Sequence, residues 1–339
     1  MTPRQKLEVL LRALPQEMLE AFLIAIQEIV DNVAIGELTA AVEEGNVEKI
    51  VAILNITDPA FRPLVKSLEK TYESFGEWKV GTFPGRLQGD AGTFKFRFDM
   101  RNPRAENWLR QQSSALVTAI TEETRANVRS TLTSGMEAGR NPRSVALDIV
   151  GRQDAQGNRV GGIVGLTRNQ EYWTRSFRAK LEALDSGVFE MSLRDARFDG
   201  TVHKAIESGK PLTTETIDKL VDRYRARALK YRGEMIGRTE ALHSLNQADY
   251  EATKQAVESG AIRAQAVQRE WDSAGDGRVR PAHRMMDGQR VGIDEAFTAP
   301  DGAKLMFPGD TSLGAPAGDV VGCRCRVRTI VDWLDRLRP

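Results

Sequence analysis

Leu7, Leu10, Leu11 and Leu14, then Leu19, Phe22, Leu23 and Ile26, recur at three- and four-residue steps, the spacing that lines one face of an α-helix. The pattern predicts helix over residues 4–75, broken at Pro15, Gly45 and Pro59. Past Val80 the period changes. A Gly-rich run over 81–92 leads into Phe94, Phe96 and Phe98 alternating with Lys95, Arg97 and Asp99, the period of two that marks a hairpin or a pair of short strands. Asn102-Pro103 then opens a helix, with Asn as the cap and Pro in the first turn, and its periodicity lasts to about Leu132. Asn141-Pro142 repeats the start signal. Residues 154–165, rich in Gly and polar side chains, read as a loop. Thr167 followed by Gln170 has the form of a capping box for a helix running to about Leu184.

After Pro211-Leu212-Thr213 the pattern is that of one long helix, or two abutting ones, ending at Ser259-Gly260, with Gly233 and Gly237 as its weak points. From Ala261 the texture changes to short β-like runs separated by Gly, Pro and Asp, which reads as a compact α+β tail. The predicted fold class is therefore mostly α with a small α+β C-terminal module, preceded by an N-terminal helical domain with a short β-hairpin. The 339 residues fit two domains, since domains run to about 100–200 residues each. The expected division is 1–134 and 135–339, the latter helical over 135–260 and α+β over 261–339.

Charge narrows the function classes. Lys and Arg number 48 against 47 Asp and Glu, a formal net charge of +1, so bulk charge gives no argument for nucleic acid or membrane binding. The most apolar early stretch, 18–38, carries Glu20, Glu28, Asp31 and Glu37 and reads as amphipathic rather than membrane-spanning. The first residues show no apolar block followed by a cleavage site, so no secretory leader is expected. The two cysteines, Cys323 and Cys325, are one residue apart and would close only a small strained ring; a reducing, cytoplasmic origin fits.

The tail holds the unusual chemistry. If 321–329 is a strand, Cys323, Cys325 and Val327 share one face and Arg324, Arg326 and Arg328 the other. The ordinary reading is a half-buried edge strand with thiols inward and arginines in solvent. A sharper one gathers both thiolates with His283 and Asp287 around zinc, although a single Cys-x-Cys lacks the paired spacers of a ribbon or finger. A third makes Cys323 a nucleophile with His283 as its base, for which the sequence offers no oxyanion signature.

His203 and His243 lie in helical surroundings and read as structural. Arg238, Thr239 and Glu240 fall on successive helix faces, so at least one points inward, and a polar network docking the helix on the tail is expected. Upstream, Arg223, Arg227 and Lys230 form one stripe with Arg225 and Arg232 opposite. That stripe reads as a solvated face paired with Asp222 and Glu234, or else as a contact for DNA phosphates or an acidic protein.

In combination, Gly237-Arg238-Thr239-Glu240, Asn246, Trp271, Arg278-Val279-Arg280, His283, Asp287-Gly288, Phe297, Pro308-Gly309-Asp310 and Gly322-Cys323-Arg324-Cys325 resemble the tailed-phage head-morphogenesis proteins, the Mu F-like minor head proteins. The resemblance covers roughly 135–330; Gly322 stands where the family usually has Asn. It implies a minor virion protein, made in the host cytoplasm and present in few copies, that associates with the portal and the capsid interior during head assembly. Portal, major capsid or scaffold proteins are the implied partners, with packaged DNA the weaker one, and no membrane. No phosphate-binding Gly loop, His-Glu-x-x-His helix or nucleophile elbow occurs, so no enzyme activity and no cofactor other than zinc is expected. Arg238, Thr239, Glu240, Trp271, His283, Asp287, Cys323 and Cys325 are expected to organise the module. The alternatives are a metal- or Cys/His-dependent hydrolase and a DNA-binding packaging or ejection protein, the latter contacting DNA through Arg223, Arg227, Lys230 and the Arg324, Arg326 and Arg328 face.

Overall fold

The computed structural model describes residues 1–89 and 92–335; Asp90 and Ala91, within the Gly-rich run, lie outside the described residues. The fold is mostly α with a few short strands, and the helices Pro3–Asp31, Arg62–Val80, Pro103–Glu137 and Thr214–Glu258 dominate it. The chain forms two compact units, one of residues 1–18, 65–113 and 235–339, the other of 19–64 and 114–234.

In the first unit, Leu7, Leu14, Tyr72, Phe75, Ala105, Ala241, Leu245 and Ala248 make an apolar core. Tyr72 stacks on Trp108 there with ring centroids 4.8 Å apart. Pro15 does not end its helix: Pro3–Asp31 runs straight through it. A helix-interior proline costs about 3 kcal/mol, but the buried Leu14 and Met18 on either side fasten the helix by their packing. A short antiparallel pair forms as expected, but earlier than the alternating phenylalanines suggest: Leu87–Gly89 pairs with Gly92–Phe94, largely within the Gly-rich run. Phe96 and Phe98 continue the half-buried alternation without joining a strand.

The tail folds as expected into an α+β module. Its three-stranded antiparallel sheet has Val267–Asp272 between Arg290–Gly292 and Arg326–Val331. A smaller pair joins Phe297–Thr298 to Lys304–Leu305. Trp271, Phe297, Leu305, Val320, Cys323, Cys325 and Val327 fill the space between them. The last strand starts at Arg326 rather than near Val321. Val321 and Gly322 form a turn instead, with Gly322 at φ +66°, a conformation open to glycine at little cost.

The second unit packs Phe177, Leu181, Val188, Val202, Ile217, Leu220, Val221 and Tyr224 together. The start signals hold where they are local. Asn141 Oδ1 accepts from Arg143 N–H at 2.9 Å, and Thr167 and Gln170 form a reciprocal capping box ahead of Arg168–Glu182. Within the stretch expected as a loop, 154–165, Arg159–Val160 forms a short strand paired with Arg152–Gln153 just before it. Short helical turns at Ser186–Glu190 and Ala196–Phe198, and the helix Asp199–Ser208, have no counterpart in the sequence reading.

Thr214–Glu258 is one continuous helix of 45 residues. Its glycines are close-approach positions rather than weak points: a Cβ at Gly233 would overlap Leu19, and one at Gly237 would overlap the carbonyl oxygen of Pro15. Among the described residues no helix is long and apolar enough to cross a membrane.

Candidate functional site

The long helix and the tail meet through buried polar side chains of the first unit. Asn246, 1% exposed, donates from Nδ2 to the carbonyls of Pro308 at 2.9 Å and Cys325 at 3.3 Å, and accepts the Val327 N–H on Oδ1 at 2.9 Å. One amide thereby ties the Pro308-Gly309-Asp310 turn to the start of the last strand. Asp310 closes that turn by accepting the N–H groups of Met306 and Ser312, both at 2.8 Å. Gly309 lets His243 lie against it, where any Cβ would collide with the ring. Burial lowers the His243 pKa to about 4 against the opposing hydrogen bond to the Val320 backbone, so the ring is neutral at pH 7.

The Arg238-Thr239-Glu240 triplet divides its work. Thr239 Oγ1 accepts from Gly322 N–H at 3.3 Å, which brings the helix to the turn before the first cysteine. Glu240 is buried and accepts from Gln112 Nε2 at 2.7 Å, while Arg238 is exposed. Burial raises the Glu240 carboxyl from an ordinary 4.5 to about 7, the Gln112 hydrogen bond opposing it.

The folded chain therefore holds this proton at pH values where the unfolded chain has released it, and stability drains as pH rises from about 4.5 to 7. Glu240→Gln removes the titration and keeps an acceptor for Gln112. Denaturant melts across pH 4–8 are expected to show the variant gaining about 3 kcal/mol relative to wild type by the alkaline end. Parallel pH profiles would refute a carboxyl held neutral at this position.

His283, Cys323 and Cys325 come together. His283 Nδ1 is 3.4 Å from Cys323 Sγ and 3.6 Å from Cys325 Sγ, and one ligand atom from each of the three lies within 4.8 Å of the others. All three side chains are buried. The helix Pro281–Met286, with Pro at its start, carries His283, and after the Gly322 turn both cysteines are buried in the same apolar cluster as Val327. Trp271 closes the group, its ring meeting the imidazole edge-on at 5.3 Å.

The two thiols share a hydrogen bond that lowers Cys323 to about 7 and pushes Cys325 up. Asp287 lies outside the group and caps the neighbouring backbone, its Oδ1 accepting from Ser273 N–H at 2.8 Å. The carboxylate that does approach is Asp319, whose Oδ1 is 3.9 Å from His283 Nε2. The set offers two soft sulfur donors and one imidazole nitrogen, the donors of a zinc-class site.

The arginines at 324, 326 and 328 are not a free cationic face. Arg324 pairs with Asp276, Arg326 with Asp272 at 2.8 Å, and Arg328 with Glu270 at 2.5 Å. Register places these acids opposite: Glu270 faces Arg328 and Asp272 faces Arg326 across the sheet. Arg269, fully buried, projects inward on the same face as Val267 and Trp271, and two of its guanidinium nitrogens donate to the Gly292 carbonyl at 3.2 and 3.1 Å. Its charge disguises it along the chain, although alternation along the strand puts it inside with Val267 and Trp271.

In the second unit the upstream basic stripe splits. Arg223 and Arg227 both reach Asp195 at 3.1 Å, and Lys230 is exposed. On the other side Arg225 is buried against Asp148 at 3.1 Å and Glu171 at 3.6 Å, and Arg232 against Glu123 at 3.1 Å. Arg140 and Arg152 complete the ring around Asp148 at 2.6 and 3.2 Å. Burial alone would raise the Asp148 carboxyl, but Arg225, Arg140 and Arg152 outweigh it and lower it to about 2. Asp222, held by Arg152 at 3.0 Å, is raised to about 6, its burial outweighing Arg152 and Arg225.

These features define a mostly helical protein whose C-terminal α+β module is stitched by buried polar groups and built around a His-Cys-Cys cluster. Residues 197–328 match the family model described as Phage Mu protein F like protein. That stretch holds Glu240, Asn246, Trp271, His283 and both cysteines, and over it the chain is similar to the Mu F-like phage proteins. No curated protein and no solved structure matches the chain.

Proposed function

We propose that the chain is a minor head protein that acts in phage head morphogenesis by docking on the portal and the inner face of the capsid. The match over 197–328 carries this reading. Two structural observations support an assembly role over DNA binding. The arginines at 324, 326 and 328 each have a carboxylate partner, and Arg223 and Arg227 share Asp195. Contact with DNA phosphates would have to displace those acids, whereas a docking surface uses paired charges as they stand. The polar joint at Asn246 and Thr239 holds the tail to the helix without titrating, so it persists through the changes of environment that head assembly entails.

The test is co-production of the full chain with the portal and major capsid proteins of its own phage, followed by purification of portal rings and of heads. The full chain is expected to travel with the portal and to be recovered from heads at substoichiometric amounts by quantitative mass spectrometry. Its absence from both fractions overturns the proposal. Recovery that depends on packaged DNA and vanishes with nuclease or raised salt favours the DNA-binding alternative.

A further inference from the structure

We infer that His283 Nδ1, Cys323 Sγ and Cys325 Sγ form a zinc site that fastens the C-terminal module. The geometry carries it. A tetrahedral zinc with bonds of about 2.3 Å to sulfur and about 2.0–2.1 Å to nitrogen sets each nitrogen–sulfur edge at about 3.6 Å. The two edges observed are 3.4 and 3.6 Å. Both sulfurs converge on one ring nitrogen, whose single lone pair accepts one S–H at a time, whereas a metal ion satisfies both sulfurs and the nitrogen together.

A second observation is independent of the sulfurs. His283 Nε2 is buried and lacks a hydrogen-bond partner, with the Asp319 carboxylate 3.9 Å away. When Nδ1 gives its lone pair to a metal, the ring proton sits on Nε2, and a closure of about 1 Å makes Asp319 its acceptor. That is the carboxylate–histidine arrangement that fixes the tautomer and orientation of metal-binding imidazoles. The metal thus accounts for both edges of the ring.

Binding balances simply. A divalent ion displaces a proton from each thiol still protonated, both sulfurs bind as thiolates, the neutral imidazole adds its Nδ1 lone pair, and the released protons go to solvent. Three protein ligands leave the fourth position to water. Two thiolates with an imidazole favour zinc over the oxygen-seeking magnesium and calcium ions. Because His283 and the cysteines lie 40 and 42 positions apart in the chain, the ion would cross-link the helix Pro281–Met286 to the segment leading into the last strand.

The test uses the full chain purified under reducing conditions, with zinc measured by mass spectrometry and cobalt(II) titrated into chelator-treated protein. One zinc per chain is expected, and cobalt should give thiolate-to-metal charge-transfer bands with the intense visible bands of a tetrahedral site. Cys323→Ser and Cys325→Ser should each abolish those bands. Asp287→Asn should leave stoichiometry and spectrum unchanged, and Asp319→Asn should keep the spectrum while weakening affinity about 10–100-fold. Wild-type chain that is cooperatively folded, with both thiols reduced, and that takes up neither zinc nor spectroscopically tetrahedral cobalt overturns the inference. So does loss of the metal in Asp287→Asn with the fold intact. These readouts on wild type stand even if a cysteine variant fails to fold.

Discussion

Asn246→Ala is expected to destabilise the protein by about 3–5 kcal/mol, because it strands three buried backbone groups at once and each unsatisfied group costs about 1–3 kcal/mol. The Val327 N–H loses its acceptor, and the Pro308 and Cys325 carbonyls lose a shared donor. No neighbouring chain segment replaces them, since Asn246 itself is what fills the gap between helix and tail, at 1% exposure. Equilibrium denaturation gives the magnitude, and hydrogen exchange gives the location: the Val327 amide should lose protection by a larger factor than amides of the Arg168–Glu182 helix, which lies in the other unit. A loss below about 1 kcal/mol, or exchange that rises equally everywhere, would mean that the joint is not held by this amide.

The second large effect belongs to the buried ion cluster. Asp148→Ala leaves Arg225, 3% exposed, without its nearest carboxylate and takes a partner from Arg140 and Arg152. Removing one member of a buried pair costs about 3–5 kcal/mol, since the remaining charge stays desolvated. Glu171 at 3.6 Å compensates Arg225 only in part. Adding Arg225→Met removes the under-compensated charge, so the double variant should be at least about 1 kcal/mol more stable than the sum of the single effects; strict additivity would show that the two do not interact. The sign of the acid limb follows as well. Asp148 is held at about 2 in the fold against an ordinary 3.8, so its contribution is full above 3.8 and is lost as pH falls through 2, about 2 kcal/mol in all.

What the sequence reveals and what it hides divide along the range of the interactions. Asn102-Pro103, Asn141-Pro142 and Thr167 with Gln170 announce helix starts correctly because the cap and the amide that it satisfies lie within three residues. Pro15, Gly233 and Gly237 mislead because their meaning is tertiary: a proline tolerated within a packed helix, and glycines that make room for Leu19 and for a carbonyl. In the tail, residue type was enough to single out His283 with Cys323 and Cys325, whereas spacing pointed to Asp287 and the fold brings Asp319 beside the ring. The arginines at 324, 326 and 328 look unpaired along the chain because their carboxylates lie 48, 54 and 58 positions away and only strand register and loop path bring them together.

The discontinuity of the first unit bears on how the polypeptide matures on the ribosome. Residues 19–64 and 114–234 are all available once position 234 has been translated, whereas residues 1–18 and 65–113 belong with partners as late as the strand Arg326–Val331. Translation therefore exposes Leu7, Tyr72 and Phe75 before Leu245 and Ala248 arrive to cover them. Nascent molecules spend that interval with sticky surface on view, a window in which chaperones have their purchase and premature aggregation its opportunity.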